Sequence, residues 1–137
     1  MARTVRIAVI AGDGIGREVT PEGLRVLDRL AETSGGTLAF AYDRYPWGSQ
    51  HYLDTGRMMD PDGLARLRPA DAILFGAVGW PGVPDHVSLW GLRLAICQGF
   101  DQYACVRPVR LLPGVPSPLR HATAETVDWV VVRENSE

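Results

Sequence analysis

The apolar run at residues 7–11, inside the stretch RIAVIAGDGIGREV, passes directly into three glycines, Gly12, Gly14 and Gly16, and a helical pattern follows. The segment over residues 5–11, rich in β-branched side chains and apolar from residue 7 onward, reads as a buried strand. Such a strand needs helices above and below it, which directs the chain towards an α/β architecture. The glycine loop also poses a question of chemistry. A Rossmann phosphate cradle requires G-x-G-x-x-G, and the position of the third glycine here is Arg17. The dinucleotide fingerprint therefore fails.

The remaining pattern alternates strands with helices. A helix is expected over residues 15–33, with Leu24, Leu27 and Leu30 along one side and Gly35-Gly36 ending it. Residues 37–45 read as a second strand. DPDGLARL places Asp60 as N-cap and Pro61 at the first helical position of a short helix. Residues 72–75 form a third strand running into Gly76, GAVGWPGVP is loop, and residues 87–98 are helical. YACVRPVRLL is extended and residues 127–133 form a strand. The fold class is α/β with a largely parallel sheet and flanking helices.

In such sheets ligands collect at the carboxyl ends of strands. AGDGIG, GAVGWPGVPDH and RENSE have that position. Gly76 and Gly79 would let a ligand approach the backbone closely, although tight strand-to-helix turns use glycine for the same freedom. Asp13 reads either as an acid for a ribose or as a turn residue.

Composition narrows the partners. A net charge of -2, without a basic stripe, argues against nucleic acid and anionic membranes. No apolar run approaches the ~18 residues of a membrane span, and a strand begins too soon for a signal peptide. Cys97 and Cys105 do not make a CxxC motif, so a reducing, cytoplasmic setting is expected. All 14 basic residues are arginine, which leaves no lysine for a P-loop or a Schiff base. His51, His86 and His121 are far apart in sequence, and no metal site is expected from them. Trp80 and Trp90 are expected to pack the second loop, Met58 and Met59 to enter the core, and the two cysteines to be small packing residues.

AGDGIGREV resembles the GDGIG-x-EV opening of the β-decarboxylating dehydrogenases, the isocitrate/isopropylmalate dehydrogenase family. LFGAVGWP, FDQYACVRPVRLLPG and VVVRENSE resemble that family's next three motifs, in its order. Within it, VPDHVSLWGLRLAICQGFDQY is most similar to tartrate and D-malate dehydrogenases. The resemblance covers about the first two-fifths of such an enzyme. It implies an isopropylmalate dehydrogenase-like fold rather than a standard Rossmann fold. Residues 1–102 would belong to the first α/β domain and residues 103–137 would begin the second.

The activity implied is NAD-dependent, metal-dependent oxidation of tartrate or D-malate, which decarboxylation can follow. The divalent metal would be Mn2+ or Mg2+, with K+ as an optional further ion. The metal ligands, a lysine and a tyrosine are all expected outside this chain, so the segment alone is expected to be inactive. Members of the family are typically dimers.

Substrate-binding arginines are implied at Arg107 (in CVRP) and Arg133 (in VVREN). The family's third arginine falls at Cys97, and Arg93, four residues earlier on the same helical face, is expected to take over its role. Guanidinium forks suit a small dicarboxylate, and an arginine at 93 would disfavour a bulky alkyl substituent by losing its partner. Gly76, Ala77, Val78 and Gly79 are implied on the nicotinamide side of NAD. The alternatives are a non-catalytic remnant, a module that binds dicarboxylates or forms heteromers, and an unrelated flavodoxin-like regulatory domain.

Overall fold

The computed structural model describes residues 2–135, so the last two residues of RENSE lie outside the described residues. The chain divides into two compact units, Met1–Ile96 and Cys97–Glu137, against an expected boundary after residue 102.

The first unit is built on a three-stranded sheet. Strand β1 (Arg3–Gly12) lies between β2 (Leu38–Tyr45) and β3 (Ala72–Ala77), parallel to both. The central position explains the apolar run: Ile7, Ala8, Val9 and Ile10 are all buried. Val5, Ile7 and Val9 alternate onto one face and pack with Leu24 and Leu27 of helix α1 (Gly16–Thr33), together with Phe40, Tyr42 and Leu74. Leu30 departs from the expectation. It is 50% exposed, because the stripe facing the sheet continues from Leu24 through Leu27 and has turned away by Leu30. Helix α1 stops at Thr33, with Gly35 and Gly36 at positive φ as expected of a helix end.

Between β2 and β3 lie α2 (Ser49–Thr55), which the sequence pattern does not announce, and α3 (Gly63–Leu67). The N-cap of α3 is Asp62, and no side chain caps it. Asp60 is engaged elsewhere: it accepts from Trp47 Nε1 at 3.1 Å and pairs with His51 and Arg66. With its carboxylate held by Trp47, His51 and Arg66, Asp60 does not serve as the cap that the DPDG signature predicts. After β3 comes an uninterrupted helical run of α4 (Asp85–Ser88), a π-helical segment (Leu89–Arg93) and α5 (Leu94–Gly99), which contains the helix expected over residues 87–98.

The second unit contains an antiparallel ribbon of β4 (Ala104–Arg110) and β5 (Asp128–Glu134). Asn135 anchors its end. It is buried and donates through Nδ2 to Cys97 Sγ and to the Gln102 carbonyl, both at 3.1 Å, while its backbone N–H donates to Tyr103 O at 2.8 Å. Among the described residues, no helix is long and apolar enough to cross a membrane.

Candidate functional site

The carboxyl ends of β1 and β3 meet at the glycine loop. A Cβ on Gly12 would lie 1.9 Å from Ala77 O, and one on Gly16 would lie 2.1 Å from Ala11 O. Gly76 is equally constrained, since its Cβ would lie 2.3 Å from Ala11 O and 2.7 Å from the buried Thr20 Oγ1. These three glycines are consumed by backbone-to-backbone packing of the loop, α1 and β3. Gly79 differs: it is exposed, has φ 138° and faces open space where a side chain would stand. Of Gly76, Ala77, Val78 and Gly79, the first two end β3 and the last begins the loop through Asp85, which bounds an open cavity of about 610 Å³. Trp80 and Trp90 are 50% and 58% exposed; Trp80 still bridges to Val83 and lies against Gly82 within the loop, where Val83 supplies the buried side chain.

Asp13 is only 2% exposed. Its Oδ1 accepts from the Ser49 backbone N–H at 2.7 Å, and its Oδ2 accepts from Ser49 Oγ at 2.6 Å and from the Gly79 backbone N–H at 3.0 Å. Its own N–H donates to Ala77 O at 2.8 Å. With both oxygens engaged inside the fold, Asp13 is a structural hub. Gly48 completes the joint, because a Cβ there would lie 2.8 Å from Asp13 Oδ1 and its φ is 151°.

A second polar cluster sits beside α2. Trp47 is buried and stacks on Tyr45 at 4.4 Å, and the Arg66 guanidinium lies over both rings. The Trp47 indole N–H, aided by the charges of His51 and Arg66, holds the Asp60 carboxyl below its ordinary range, against partial desolvation. His51 thus has a carboxylate partner that sequence distance concealed, at 3.2 Å. No three His, Cys, Asp or Glu side chains come together as a metal set among the described residues.

In the second unit, Cys105 pairs with Arg133 and Arg107 with Val131 across the ribbon. Side chains alternate along a strand, so Cys105, Arg107, Val131 and Arg133 share one face. Arg107 Nε donates to Cys105 Sγ at 3.3 Å, consistent with that register. The opposite face carries Val106, Pro108, Val130 and Val132. One face thus joins Arg107 and Arg133 with Val109, Trp129 and Val131, and the other joins a valine cluster with the Arg110–Asp128 pair at its end. Arg93, in the first unit, is half-buried at the end of the π-helical segment.

A parallel β2-β1-β3 sheet with a glycine loop at its carboxyl edge, followed by an arginine-bearing antiparallel ribbon, defines an α/β protein. The sequence profile of the isocitrate/isopropylmalate dehydrogenase family matches residues 6–137, and the chain belongs to that family. It is 55% identical over 135 residues to a probable tartrate dehydrogenase/decarboxylase of Agrobacterium vitis, covering 98% of this chain and 37% of that protein. It is 52% identical over 139 residues to the decarboxylating D-malate dehydrogenase of Escherichia coli, covering 100% and 38%. A β-decarboxylating dehydrogenase structure from Thermococcus kodakarensis superposes with TM-score 0.63 at 32% identity, over 97% of this chain and 34% of the other. The isocitrate dehydrogenase of Methylococcus capsulatus shares the fold, with TM-score 0.70 at 22% identity, over 97% and 35%. The chain thus spans a little over one-third of the length of these relatives.

Proposed function

We propose that this chain is the N-terminal part of an NAD-dependent, metal-dependent dehydrogenase that oxidises tartrate or D-malate. Its arginines would bind the substrate, and residues 76–79 would meet the cofactor. The observation that carries this reading is the shared face of Arg107 and Arg133. Two guanidinium groups on one side of a ribbon suit a small dianion, and each charge-assisted contact contributes about 1.5–3 kcal/mol. Arg93 would add selectivity for a second carboxylate over an alkyl group.

The open backbone at Gly79 fits close approach by a flat cofactor ring, whereas Gly76 is already explained by packing. Bound NAD would accept hydride from the hydroxyl-bearing carbon of the substrate. This chain's contribution would be orientation: the arginines fix the carboxylates, and the loop fixes the face offered to the nicotinamide. The family resemblance alone assigns the metal's ligands to the remainder of the enzyme. The same reading makes the full-length protein a cytoplasmic homodimer.

The test is a graft. Residues 6–137 replace the matching segment of the Pseudomonas putida tartrate dehydrogenase/decarboxylase, which is 52% identical over 138 residues. NAD reduction is then measured with tartrate, D-malate, isocitrate and isopropylmalate, with Mn2+ or Mg2+. Activity on tartrate or D-malate at least tenfold above that on isopropylmalate is expected. A folded graft that prefers isopropylmalate, or is inert towards all four, would overturn the proposal.

A further inference from the structure

We infer that Asp13 is a positioning residue for the loop at Gly79, and through it for the cofactor; this rests on the reading of residues 76–79 given above. The argument is one of connectivity. Asp13 donates its backbone N–H to Ala77 O and accepts the Gly79 N–H on Oδ2, so a single residue brackets Val78 from both sides. With Ala77 and Gly79 both held, the orientation of the intervening peptides is set, including the unusual φ of 138° at Gly79. The same carboxylate is fastened to Ser49 by two further bonds, which ties the loop to the start of α2 rather than to the flexible end of a lone side chain.

The chemistry of the pocket calls for a carboxylate and not its amide. Two backbone N–H groups, of Ser49 and Gly79, point at different oxygens of Asp13. An asparagine offers one acceptor and one donor, so it can satisfy only one of those amides, while the Ser49 hydroxyl can rotate to accept from the new NH2 group. Ser49 is the natural control: removing its hydroxyl leaves both backbone amides bonded to Asp13.

The experiment uses Asp13→Asn and Ser49→Ala. Amide exchange at Gly79 is measured in the 137-residue chain, and KM values are measured in the grafted dehydrogenase described above. In the wild-type chain the Gly79 amide is expected to exchange at least tenfold more slowly than in an unstructured peptide, although Gly79 is exposed. Asp13→Asn should accelerate that exchange about tenfold or more and raise the KM for NAD about tenfold, leaving the KM for the hydroxy acid within twofold. Ser49→Ala should change each by less than about threefold. An unprotected Gly79 amide in the wild-type chain overturns the positioning role without any variant, even if Asp13→Asn fails to fold. Faster exchange with an unchanged KM for NAD overturns the link to the cofactor and locates the failure in the reading of residues 76–79, not in the latch.

Discussion

Arg107 and Arg133 are diagonal neighbours on one face of the β4–β5 ribbon, since Arg133 stands opposite Cys105 and Arg107 opposite Val131. Diagonal positions lie roughly 7–8 Å apart, near enough for long side chains to meet over one small ligand. Arg107 Nε is directed to Cys105 Sγ, which leaves the Nη1/Nη2 end of the fork for a carboxylate. Arg107→Lys keeps the charge but loses the fork. In the grafted dehydrogenase it should lower kcat/KM for tartrate or D-malate about 10- to 100-fold. The check is steady-state kinetics, and a change below threefold would remove Arg107 from the substrate.

Arg93→Leu isolates the selectivity argument. Leucine would offer an apolar surface to an alkyl group and deprive the second carboxylate of a cationic partner. Its KM for D-malate or tartrate is expected to rise about tenfold, while activity on isopropylmalate improves. Unchanged kinetics on both substrates would assign the arginine to packing at the end of the π-helical segment instead.

Gly12 and Gly14 occupy the same loop at positive φ, 70° and 45°, yet their surroundings differ. Alanine at Gly14 meets open space and pays only for the left-handed backbone, about 1–2 kcal/mol. Alanine at Gly12 would collide with Ala77 O, and that atom is held in the sheet and by Asp13. Gly12→Ala should therefore cost more than about 4 kcal/mol and leave the chain largely unfolded. Urea denaturation of the two variants gives the comparison, and equal midpoints would contradict the packing account.

These contrasts show what local pattern can and cannot announce. β1, α1 and β3 were legible because burial on a central strand and a helix stripe leaves a period in the sequence, as at Ile7, Val9, Leu24 and Leu27. Helix α2 was not, because Gly48 and Ser49 start it through contacts with Asp13, 36 residues away from Ser49. The diversion of Asp60 from its cap, and the pairing of His51 with it, arise from side-chain contacts that no helical or strand period marks. The arginines of the ribbon were legible only through motif resemblance. No periodicity distinguishes Arg107 from Arg110, whose guanidinium is spent on Asp128.

Asp60 sets a pH dependence of stability. Its carboxyl is held below the ordinary value of 3.8 in the folded chain, first by the Trp47 indole N–H and then by His51 and Arg66. A lowered folded-state pKa stabilises the fold fully above the unfolded value, and that stabilisation is lost as pH falls through the folded value. The melting-temperature difference between wild type and Asp60→Asn should therefore be positive near pH 5 and shrink as pH falls below 4. A difference that grows on acidification would reverse the assignment.

The valine cluster of the ribbon has its own consequence. Val106, Val130 and Val132 are 61%, 63% and 67% exposed and stand together on one face. Contiguous exposed apolar strands are templates for association, and each of these side chains regains about 1 kcal/mol if fully covered. The purified 137-residue chain is expected to self-associate at micromolar concentration. Val130→Lys places a charge in the middle of that face and should shift the equilibrium towards monomer by about tenfold or more in Kd. The face of Arg107 and Arg133, unaltered by this change, makes Arg133→Gln the matched control with little effect. Sedimentation equilibrium of the three proteins provides the measurement. A wild-type chain that stays monomeric at 100-fold higher concentration would mean that the valine face is too small or too mobile to hold a second copy.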